Sequence, residues 1–498
     1  MHLTKEKEMF KIKDFSAGFR NGFYLNEINL TLGEAERVGI LGESGSGKSL
    51  LCYLILGFQD RLRCEVKTGE ILFKGENLLK KKSMQKLLRK DFGYIPQNPF
   101  EALNPLQKIQ KQLLETLKLA FPSESLENLK QKMRSALQEV GLSQDLLGRY
   151  PHELSGGQNA RVLILQNILK EPKILFCDEP TTALDPKIQR QVLEFLFYQA
   201  KIKKIAIVFV THDIEVLDGF VEKILVMKEG RIIESSLTKE LFLNPKHQYT
   251  KELLDALKLP IKTLRPDQEE ALSIKDFSVF VYNKNFLFST KKYLIQEVNF
   301  SLKKGEILGI IGESGSGKSS LSLGIMHLLK TEGEIRIFGK NLGKKNQYEM
   351  MQIVLQNPFG SLNPRWRIKE ILKEASNLKN NEIDIKEYLQ AVGLSQDLLG
   401  RYPHELSGGQ NARIAIARAL IVKPRILILD EPTSALDKST QKQVLELLLK
   451  LQIQYSLSFI FITHDRSIVH SICDRVLVIH QGRVMKILEN REDFKKYI

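Results

Sequence analysis

A stretch of 22 residues occurs twice in this 498-residue chain without a single change. The sequence VGLSQDLLGRYPHELSGGQNAR runs from Val140 to Arg161 and returns from Val392 to Arg413, an offset of 252 residues (392 minus 140). An exact repeat at such a distance is typical of duplicated domains. We therefore predict two homologous halves, residues 1–258 and 273–498, joined by a short linker at 259–272.

Each copy of the repeat has Leu-Ser-Gly-Gly-Gln at its centre, followed by apolar residues at helical spacing. Adjacent glycines are poor in a helix interior, so the pentapeptide predicts a turn that opens onto a helix. Bare N–H groups and the positive end of the helix dipole at such a start suit an anion. The candidate anion-binding residues are Ser155, Gly156, Gly157, Gln158, Ser407, Gly408, Gly409 and Gln410.

Composition narrows the class of protein. The net charge is +15, but the lysines are scattered and are not interleaved with aromatic residues, so we expect no nucleic-acid partner. The four cysteines show no C-x-x-C spacing, which argues against a zinc site or a disulfide framework and fits a reducing compartment. No apolar run approaches the length of about 18 residues that a membrane helix needs, so we expect any membrane role to come through a partner.

Each half also contains the octapeptide Gly-Glu-Ser-Gly-Ser-Gly-Lys-Ser, after an apolar strand pattern and before a helical one. This is a phosphate-binding loop in its expected context, with glycines that let backbone N–H groups surround a phosphate. The lysine reaches the terminal phosphates and the last serine can ligate Mg²⁺. The predicted loop residues are Gly42, Glu43, Ser44, Gly45, Ser46, Gly47, Lys48, Ser49, Gly312, Glu313, Ser314, Gly315, Ser316, Gly317, Lys318 and Ser319.

Polar residues follow three further apolar strand patterns in each half. An acidic pair ends one of them, Asp178-Glu179 and again Asp430-Glu431. Ligands of open α/β sheets bind at this edge, where the aspartate would hold Mg²⁺ through water and the glutamate would orient the attacking water and take its proton. The other two patterns end at Gln97 and Gln356, which we predict as metal-binding and catalytic, and at His212 and His464, which would contact a γ-phosphate.

The fold class predicted from these patterns is α/β, with two tandem phosphate-loop NTPase domains. Short alternating strands at residues 10–40 predict an antiparallel β subdomain beside the mixed sheet core. Helical spacing over residues 106–140 predicts a helical subdomain inserted into that core.

Two sets of loop, glutamine, LSGGQ, acidic pair and histidine, in that order, resemble the ATP-binding subunits of ABC transporters. The segments Asn98-Pro99-Phe100 and Leu103-Asn104-Pro105, with their counterparts at 357–364, are similar to those of dipeptide, oligopeptide and nickel importers. The tail His247–Leu254 resembles the segment that follows the ATPase core in that subfamily. The extension that often follows this tail there is missing here, and the second half has no such tail.

The resemblance implies an ATPase that binds ATP and Mg²⁺ and couples hydrolysis to peptide uptake. It further implies two membrane permease subunits and a substrate-binding protein as partners, and a peripheral position on the cytoplasmic face of the inner membrane. The two halves would pair head to tail within the chain, so that each nucleotide lies between the phosphate loop of one half and the LSGGQ of the other. Residues near 99–110 and 358–370 would meet the permeases.

Several alternatives stay open at this point. A nickel or other small-solute importer would look alike, because the substrate meets other subunits. A membrane-free twin ATPase acting on ribosomes usually carries a long charged linker, whereas this linker is short, and an exporter ATPase is disfavoured by the Asn-Pro-Phe segments. The aromatic residue that stacks on adenine is not fixed by the pattern, and Phe19 and Tyr282 are candidates.

Overall fold

The computed structural model describes residues 8–20, 22–80, 84–97, 102–139, 141–181, 186–263, 265–284, 289–313, 315–377, 384–434 and 436–497. The chain divides into two compact units, Met1–Asp255 and Ala256–Ile498. The predicted limits of the halves at 258 and 273 stay a prediction.

The first unit is built from ten strands and nine helices among its described residues. The strands are β1 (Phe10–Phe19), β2 (Tyr24–Leu32), β3 (Arg37–Leu41), β4 (Cys64–Phe73), β5 (Glu76–Asn77), β6 (Phe92–Ile95), β7 (Ile174–Asp178), β8 (Ala206–Thr211), β9 (Lys223–Lys228) and β10 (Arg231–Leu237). The helices are α1 (Lys48–Ile55), α2 (Gln59–Leu62), α3 (Met84–Arg89), α4 (Ile109–Ala120), α5 (Leu126–Glu139), α6 (Gly156–Ile168), α7 (Pro186–Ile202), α8 (Thr238–Leu243) and α9 (Gln248–Asp255). Short 3₁₀ segments lie at Leu78–Lys80, Gln144–Gly148, Pro151–Glu153 and Glu215–Leu217.

Two sheets form the first unit. A six-stranded sheet has the order β10-β9-β3-β8-β7-β6, in which only β10 is antiparallel to its neighbour. An antiparallel sheet has the order β2-β1-β4-β5. Buried side chains such as Phe10, Phe92 and Phe176 come from both sheets and share one core, in which their rings meet edge to face.

The second unit repeats this plan with nine strands and nine helices among its described residues. The strands are β11 (Glu270–Lys284), β12 (Ser289–Lys303), β13 (Ile307–Ile311), β14 (Lys330–Ile337), β15 (Met351–Val354), β16 (Ile426–Asp430), β17 (Ser458–Ile462), β18 (Arg475–His480) and β19 (Arg483–Leu488). The helices are α10 (Lys318–Ile325), α11 (Lys344–Met350), α12 (Pro358–Ser361), α13 (Ile368–Asn377), α14 (Ile385–Ala391), α15 (Gly408–Ile421), α16 (Lys438–Tyr455), α17 (Arg466–Ile472) and α18 (Arg491–Tyr497). Two 3₁₀ segments lie at Gln396–Gly400 and Pro403–Glu405.

The six-stranded sheet of the second unit has the same strand order as that of the first, and the antiparallel sheet has three strands instead of four. The six-stranded sheet runs β15-β16-β17-β13-β18-β19, with β19 as its one antiparallel strand, and the smaller antiparallel sheet runs β12-β11-β14. In both units, helices are inserted between the outermost parallel strand and the strand beside it, as with α4, α5 and α6 between β6 and β7. The predicted fold class is therefore confirmed, with a mixed sheet, an antiparallel sheet and a helical insertion in each half.

Part of the predicted linker packs against the second unit. Leu259 contacts its core, and the buried Lys262 ammonium donates to the Gly305 carbonyl oxygen over 2.8 Å and pairs with Asp474. Asp474 also accepts from the N–H of Ile307, which is the first residue of β13, over 2.8 Å. In the first unit the equivalent residue, Arg37, supplies the positive charge itself and pairs with Glu222. Lys262 thus supplies from the linker the charge that Ile307 lacks.

We predict that Lys262→Met selectively destabilises the second unit. Removing the lysine leaves the half-buried Asp474 beside the buried Glu306 without its cation, and losing one partner of such a pair costs about 1–3 kcal/mol of unfolding free energy. The effect is measured by urea unfolding, with hydrogen exchange used to monitor each unit separately. Lys304→Met, which removes an exposed partner of Glu269, is the matched control and should change little. Equal losses in the two variants would contradict a special role for Lys262.

Candidate functional site

The predicted phosphate loop of the first unit joins the end of β3 to the start of α1. Gly47 has a φ of 101°, and a Cβ there would lie 2.7 Å from side-chain atoms of Leu25 and Phe23. A Cβ on Gly42 would lie 2.3 Å from the carbonyl oxygen of Met227. Both positions therefore require glycine, for lack of space and, at Gly47, also for its left-handed backbone.

A buried lysine lies inside each loop. The Lys48 ammonium donates to the carbonyl oxygens of Gly42 and Glu43 over 2.7 and 2.8 Å. Lys318 makes the same contacts with Gly312 and Glu313 over 2.8 and 2.9 Å. Burial lowers the pKa of both lysines, against the raising effect of the nearby acidic pairs. Each loop thus surrounds a lysine ammonium with its own carbonyl oxygens. Ser314, which was also predicted as a loop residue, lies outside the described residues.

The structure brings the last serine of each loop to the aspartate of the acidic pair. The hydroxyl of Ser49 donates to Asp178 Oδ1 over 3.0 Å, and that of Ser319 to Asp430 Oδ1 over 3.2 Å. Both aspartates end buried strands, β7 and β16, and burial raises their pKa against the opposing hydrogen bonds from the serines. A hydroxyl and a carboxylate side by side are oxygen ligands of the kind that Mg²⁺ prefers.

The glutamate of each acidic pair follows its strand in a left-handed backbone conformation. Glu179 and Glu431 both have a φ of 46°. The N–H of Glu179 donates to the carbonyl oxygen of Val210 in β8 over 3.0 Å, and that of Glu431 to Ile462 in β17 over 3.0 Å. This bond to the neighbouring strand holds a strained residue in place and turns its side chain out of the strand path.

In the first unit two further predicted residues meet at Glu179. Gln97 Nε2 donates to Glu179 Oε2 over 3.0 Å, and His212 Nδ1 lies 2.8 Å from Glu179 Oε1. The contact with Glu179 raises the pKa of His212, although burial acts in the opposite direction. Each carboxylate oxygen therefore has one fixed donor, and the side chain has a defined orientation.

The second unit repeats this arrangement with a more exposed histidine. Gln356 Nε2 donates to Glu431 Oε2 over 3.0 Å, and His464 Nδ1 lies 3.2 Å from the same oxygen. Burial acts to raise the pKa of Glu431, but the contact with His464 and the charges of His464 and Lys318 outweigh it and leave the pKa below its ordinary value. Glu431 is therefore held as a carboxylate.

The repeated LSGGQ residues lie at the start of α6 and of α15. The prediction of a turn over the glycines was wrong, because Ser155 and Ser407 are the N-caps and the glycines lie in the first helical turn. Ser155 and Gln158 form a capping box, in which each side chain bonds the backbone N–H of the other residue over 3.0 to 3.3 Å. Ser407 and Gln410 do the same over 3.0 to 3.2 Å. A Cβ on Gly157 would lie 2.7 Å from Ile188, and one on Gly409 would lie 2.4 Å from Thr440. The second glycine of the pair therefore allows close packing of the next long helix.

Three residues at the loop and its surroundings were not singled out from the sequence. Phe23, one-third exposed, borders Gly47, whereas Phe19 was the predicted aromatic of this half. The hydroxyl of Tyr94 lies 3.5 Å from Asp178 Oδ2, and that of Tyr249 accepts from the N–H of Glu43 over 3.1 Å. Tyr282, the aromatic predicted in the second half, packs edge to face on Phe280, with Lys330 over its ring. No spacing rule marks such neighbours, because they come from distant parts of the chain.

The residues of the phosphate loop and the acidic pair fit a magnesium–nucleotide complex better than a metal ion bound by protein side chains alone. Among the described residues, no group of three or more His, Cys, Asp or Glu side chains is placed to bind a metal ion. A Mg²⁺ ion that also binds phosphate oxygens needs only one or two protein side chains, which Ser49 and Asp178 can supply. The glycine-shaped loop with its buried lysine suits the phosphates.

The comparison with known proteins agrees with this geometry. The family profile described as ABC transporter matches residues 25–182 and 295–434. The chain is 35% identical over 505 residues to an uncharacterized ABC transporter ATP-binding protein, YejF, of Escherichia coli K12, covering 96% of this chain and 95% of that one. It is 34% identical to the peptidoglycan transport ATP-binding protein YejF of Agrobacterium fabrum, covering 98% and 93%. It is 31% identical to the glutathione import ATP-binding protein GsiA of Shigella dysenteriae, covering 95% and 84%.

The chain therefore belongs to the ABC transporter ATP-binding proteins, with two ATPase domains, and it binds and hydrolyses ATP. Within the described ranges, every helix is too short or too polar to cross a lipid bilayer.

The tail after the first ATPase core is held by a buried glutamate. Glu234 accepts from the N–H groups of Lys246 and His247, each over 2.9 Å, and from the hydroxyl of Thr250 over 2.5 Å. Burial acts to raise its pKa, but these three bonds outweigh burial and leave the pKa below its ordinary value. Since Tyr249 lies in the same tail and contacts Glu43, the tail is fastened beside the phosphate loop.

We predict that acid releases this tail. Because the folded-state pKa of Glu234 is lowered, its stabilising effect is complete above the ordinary pKa of a glutamate and is lost as the pH falls through the folded-state value. Hydrogen exchange of residues 246–255 should therefore accelerate as the pH drops from about 7 to about 3, after correction for intrinsic rates. Glu234→Gln should exchange faster already at neutral pH and respond less to acid. Glu252→Gln, on the exposed face of the same tail, is the control; a Glu234→Gln profile equal to that of the unmodified chain would refute the prediction.

Proposed function

We propose that both halves hydrolyse Mg²⁺-ATP and that the hydrolysis drives uptake of a peptide-class solute through an ABC importer. The observation that carries the proposal is the repeated cluster around Glu179 and Glu431, where a glutamine and a histidine contact the carboxylate in each unit. A site that only binds nucleotide needs no such oriented carboxylate.

The side chains divide into those that bind and those that react. Lys48 and Lys318 bind the terminal phosphates, and the glycines of each loop surround them with N–H groups. Ser49, Asp178 and Gln97 are the residues proposed to hold Mg²⁺ in the first half, and Ser319, Asp430 and Gln356 in the second. When bound, the ion neutralises phosphate charge. Phe23, beside Gly47, replaces Phe19 as the proposed adenine-stacking residue of the first half.

The proposed reaction transfers the γ-phosphoryl group to water. The water oxygen bonds to the γ-phosphorus, and the bond from that phosphorus to the bridging oxygen of ADP breaks. Glu179 or Glu431 orients the water and accepts its proton, and inorganic phosphate and ADP leave. His212 and His464 donate to the glutamate in the structure and are proposed to reach the γ-phosphate when it is bound. The pairing of each loop with the LSGGQ of the other half stays a prediction from the resemblance.

The peptide class rests on the relatives and on the segments after the glutamines. ATP-binding proteins of ABC importers work with membrane permease subunits. The names of the relatives specify peptidoglycan transport and glutathione import, both of which concern peptide-containing solutes. We propose two permease subunits, a substrate-binding protein, and a peripheral position on the cytoplasmic face of the inner membrane. Nickel or another small solute is the second candidate, favoured only by the shared Asn-Pro-Phe segments.

We predict that Glu179→Gln and Glu431→Gln each reduce hydrolysis at their own site about 10²-fold or more while ATP binding is kept, because the amide preserves shape but cannot accept a proton. Total ATP turnover should therefore fall by about half in each single variant and about 10²-fold in the double variant. Phosphate release and nucleotide binding are measured on the same preparations. Glu229→Gln is the matched control, since Glu229 shares the left-handed backbone with a φ of 47° but is exposed in the turn between β9 and β10. An unaffected single variant would show that only one half hydrolyses ATP.

The transport function is tested by its partners. Membrane proteins that co-purify with the tagged chain should be permeases, and ATP turnover of the resulting complex in liposomes should rise when a peptide-loaded binding protein is added. Recovery with ribosomes and without a permease would overturn the proposal. Stimulation by a nickel-loaded binding protein alone would select the second candidate.

A further inference from the structure

Each aspartate of the two acidic pairs has two hydroxyl neighbours, one for each carboxylate oxygen. The first neighbour is the loop serine, Ser49 or Ser319, on Oδ1. The second donates to Oδ2 over a longer distance of 3.5 Å in both units. In the first unit this second donor is Tyr94, and in the second unit it is Ser322.

The second donor comes from a different structural element in each half, and each half has a residue without a hydroxyl at the position that the other half uses. Tyr94 lies in β6, and strand register gives Ile353 of β15 as its equivalent, which has no hydroxyl. Ser322 lies in α10 four residues after Lys318, and the residue four after Lys48 is Cys52. The first half thus has a hydroxyl on the outer strand and none at this position of the helix, and the second half has the reverse. The same contact has two structural solutions within one chain.

The two donors also differ in what surrounds them. Ser322 is buried, and its single hydroxyl proton is shared between the carbonyl oxygen of Ser319 at 2.8 Å and Asp430 Oδ2 at 3.5 Å, so this side chain belongs to the loop itself. Tyr94 is half-buried, and its ring borders a surface cavity that Pro96, Thr116 and Gln166 also line. Its backbone N–H donates to Asn167 Oδ1 of α6 over 3.0 Å. The donor in the first half is therefore attached to β6 and to the helix that LSGGQ begins.

We propose that Tyr94 and Ser322 are the positioning residues of Asp178 and Asp430, and that the metal-binding aspartate of the first half alone is fixed from β6. This inference rests on the proposed function of the aspartates. Each hydroxyl fixes the rotation of its carboxylate, so that Oδ1 stays with the loop serine. In the first half a displacement of β6, which leads directly to Gln97, moves the donor away from Asp178; in the second half β15 has no such connection to Asp430.

The test measures metal binding without turnover. Mn²⁺ binding in the presence of ADP is followed by electron paramagnetic resonance in two backgrounds, Ser319→Ala to isolate the first site and Ser49→Ala to isolate the second. Tyr94→Phe should weaken Mn²⁺ binding about three- to ten-fold in the first background, the effect of losing one ordinary hydrogen bond, because the contact with Asp178 is long. It should leave the second background unchanged. Adding Cys52→Ser to Tyr94→Phe should restore most of the affinity, because it transplants the donor of the second half.

Thermal unfolding of the nucleotide-free chain shows whether Tyr94→Phe folds. If it does not fold, the equivalent experiment on the second half tests the inference. Ser322→Ala should weaken Mn²⁺ binding only in the Ser49→Ala background. Unchanged affinity in the folded variants, equal losses in both backgrounds, or no recovery with Cys52→Ser would overturn the inference while leaving the proposed function intact. Fewer than two Mn²⁺ ions per ADP-loaded unmodified chain would instead overturn the metal sites of the proposed function.

Discussion

One backbone hydrogen bond in each unit determines where the glutamate of the acidic pair lies. The N–H of Glu179 is bonded to Val210, and that of Glu431 to Ile462, while both glutamates have a left-handed backbone that a free chain would rarely adopt. Because the partner carbonyl belongs to the adjacent parallel strand, the bond ties the acidic pair to the strand that carries the histidine. The aspartate can then point to the loop serine while the glutamate points to the glutamine and histidine. The chemistry of each site depends on the sheet having this strand order.

The fold and most of the site are predictable from the sequence because they depend on short patterns. The octapeptide, the acidic pair and the residues after β6 and β8 each follow an apolar strand, and parallel strands bring their carboxyl ends to one edge. What the sequence does not reveal are contacts between distant elements without a fixed spacing. Tyr94 on Asp178, Phe23 beside Gly47 and Tyr249 on the loop are of this kind. Lys262 is a further example, since nothing in the sequence of the linker indicates that this lysine pairs with Asp474.

The two halves reach the same geometry with different supporting residues. Ser49 and Ser319 occupy matching positions, yet the other aspartate oxygen is served from β6 in one half and from α10 in the other. The charge that meets Glu222 comes from Arg37 at the start of β3, whereas the one that meets Asp474 comes from Lys262 in the linker. The residues proposed to touch ligand are thus the same in both halves, and those behind them differ.

The 22-residue repeat is an almost self-contained structural module. Its capping boxes, the stacked rings of Tyr150 and His152, and the bond from Asn159 to the Pro151 carbonyl all lie within the stretch and recur in the second copy. Where it bonds to the helical insertion, it uses a backbone carbonyl, which accepts from Ile109 in one half and from Ile368 in the other. A segment whose internal bonds travel with it can be copied from one half of a gene onto the other at little cost in folding. Recombination between the two halves would therefore keep the copies identical while the remainder of the chain drifts apart.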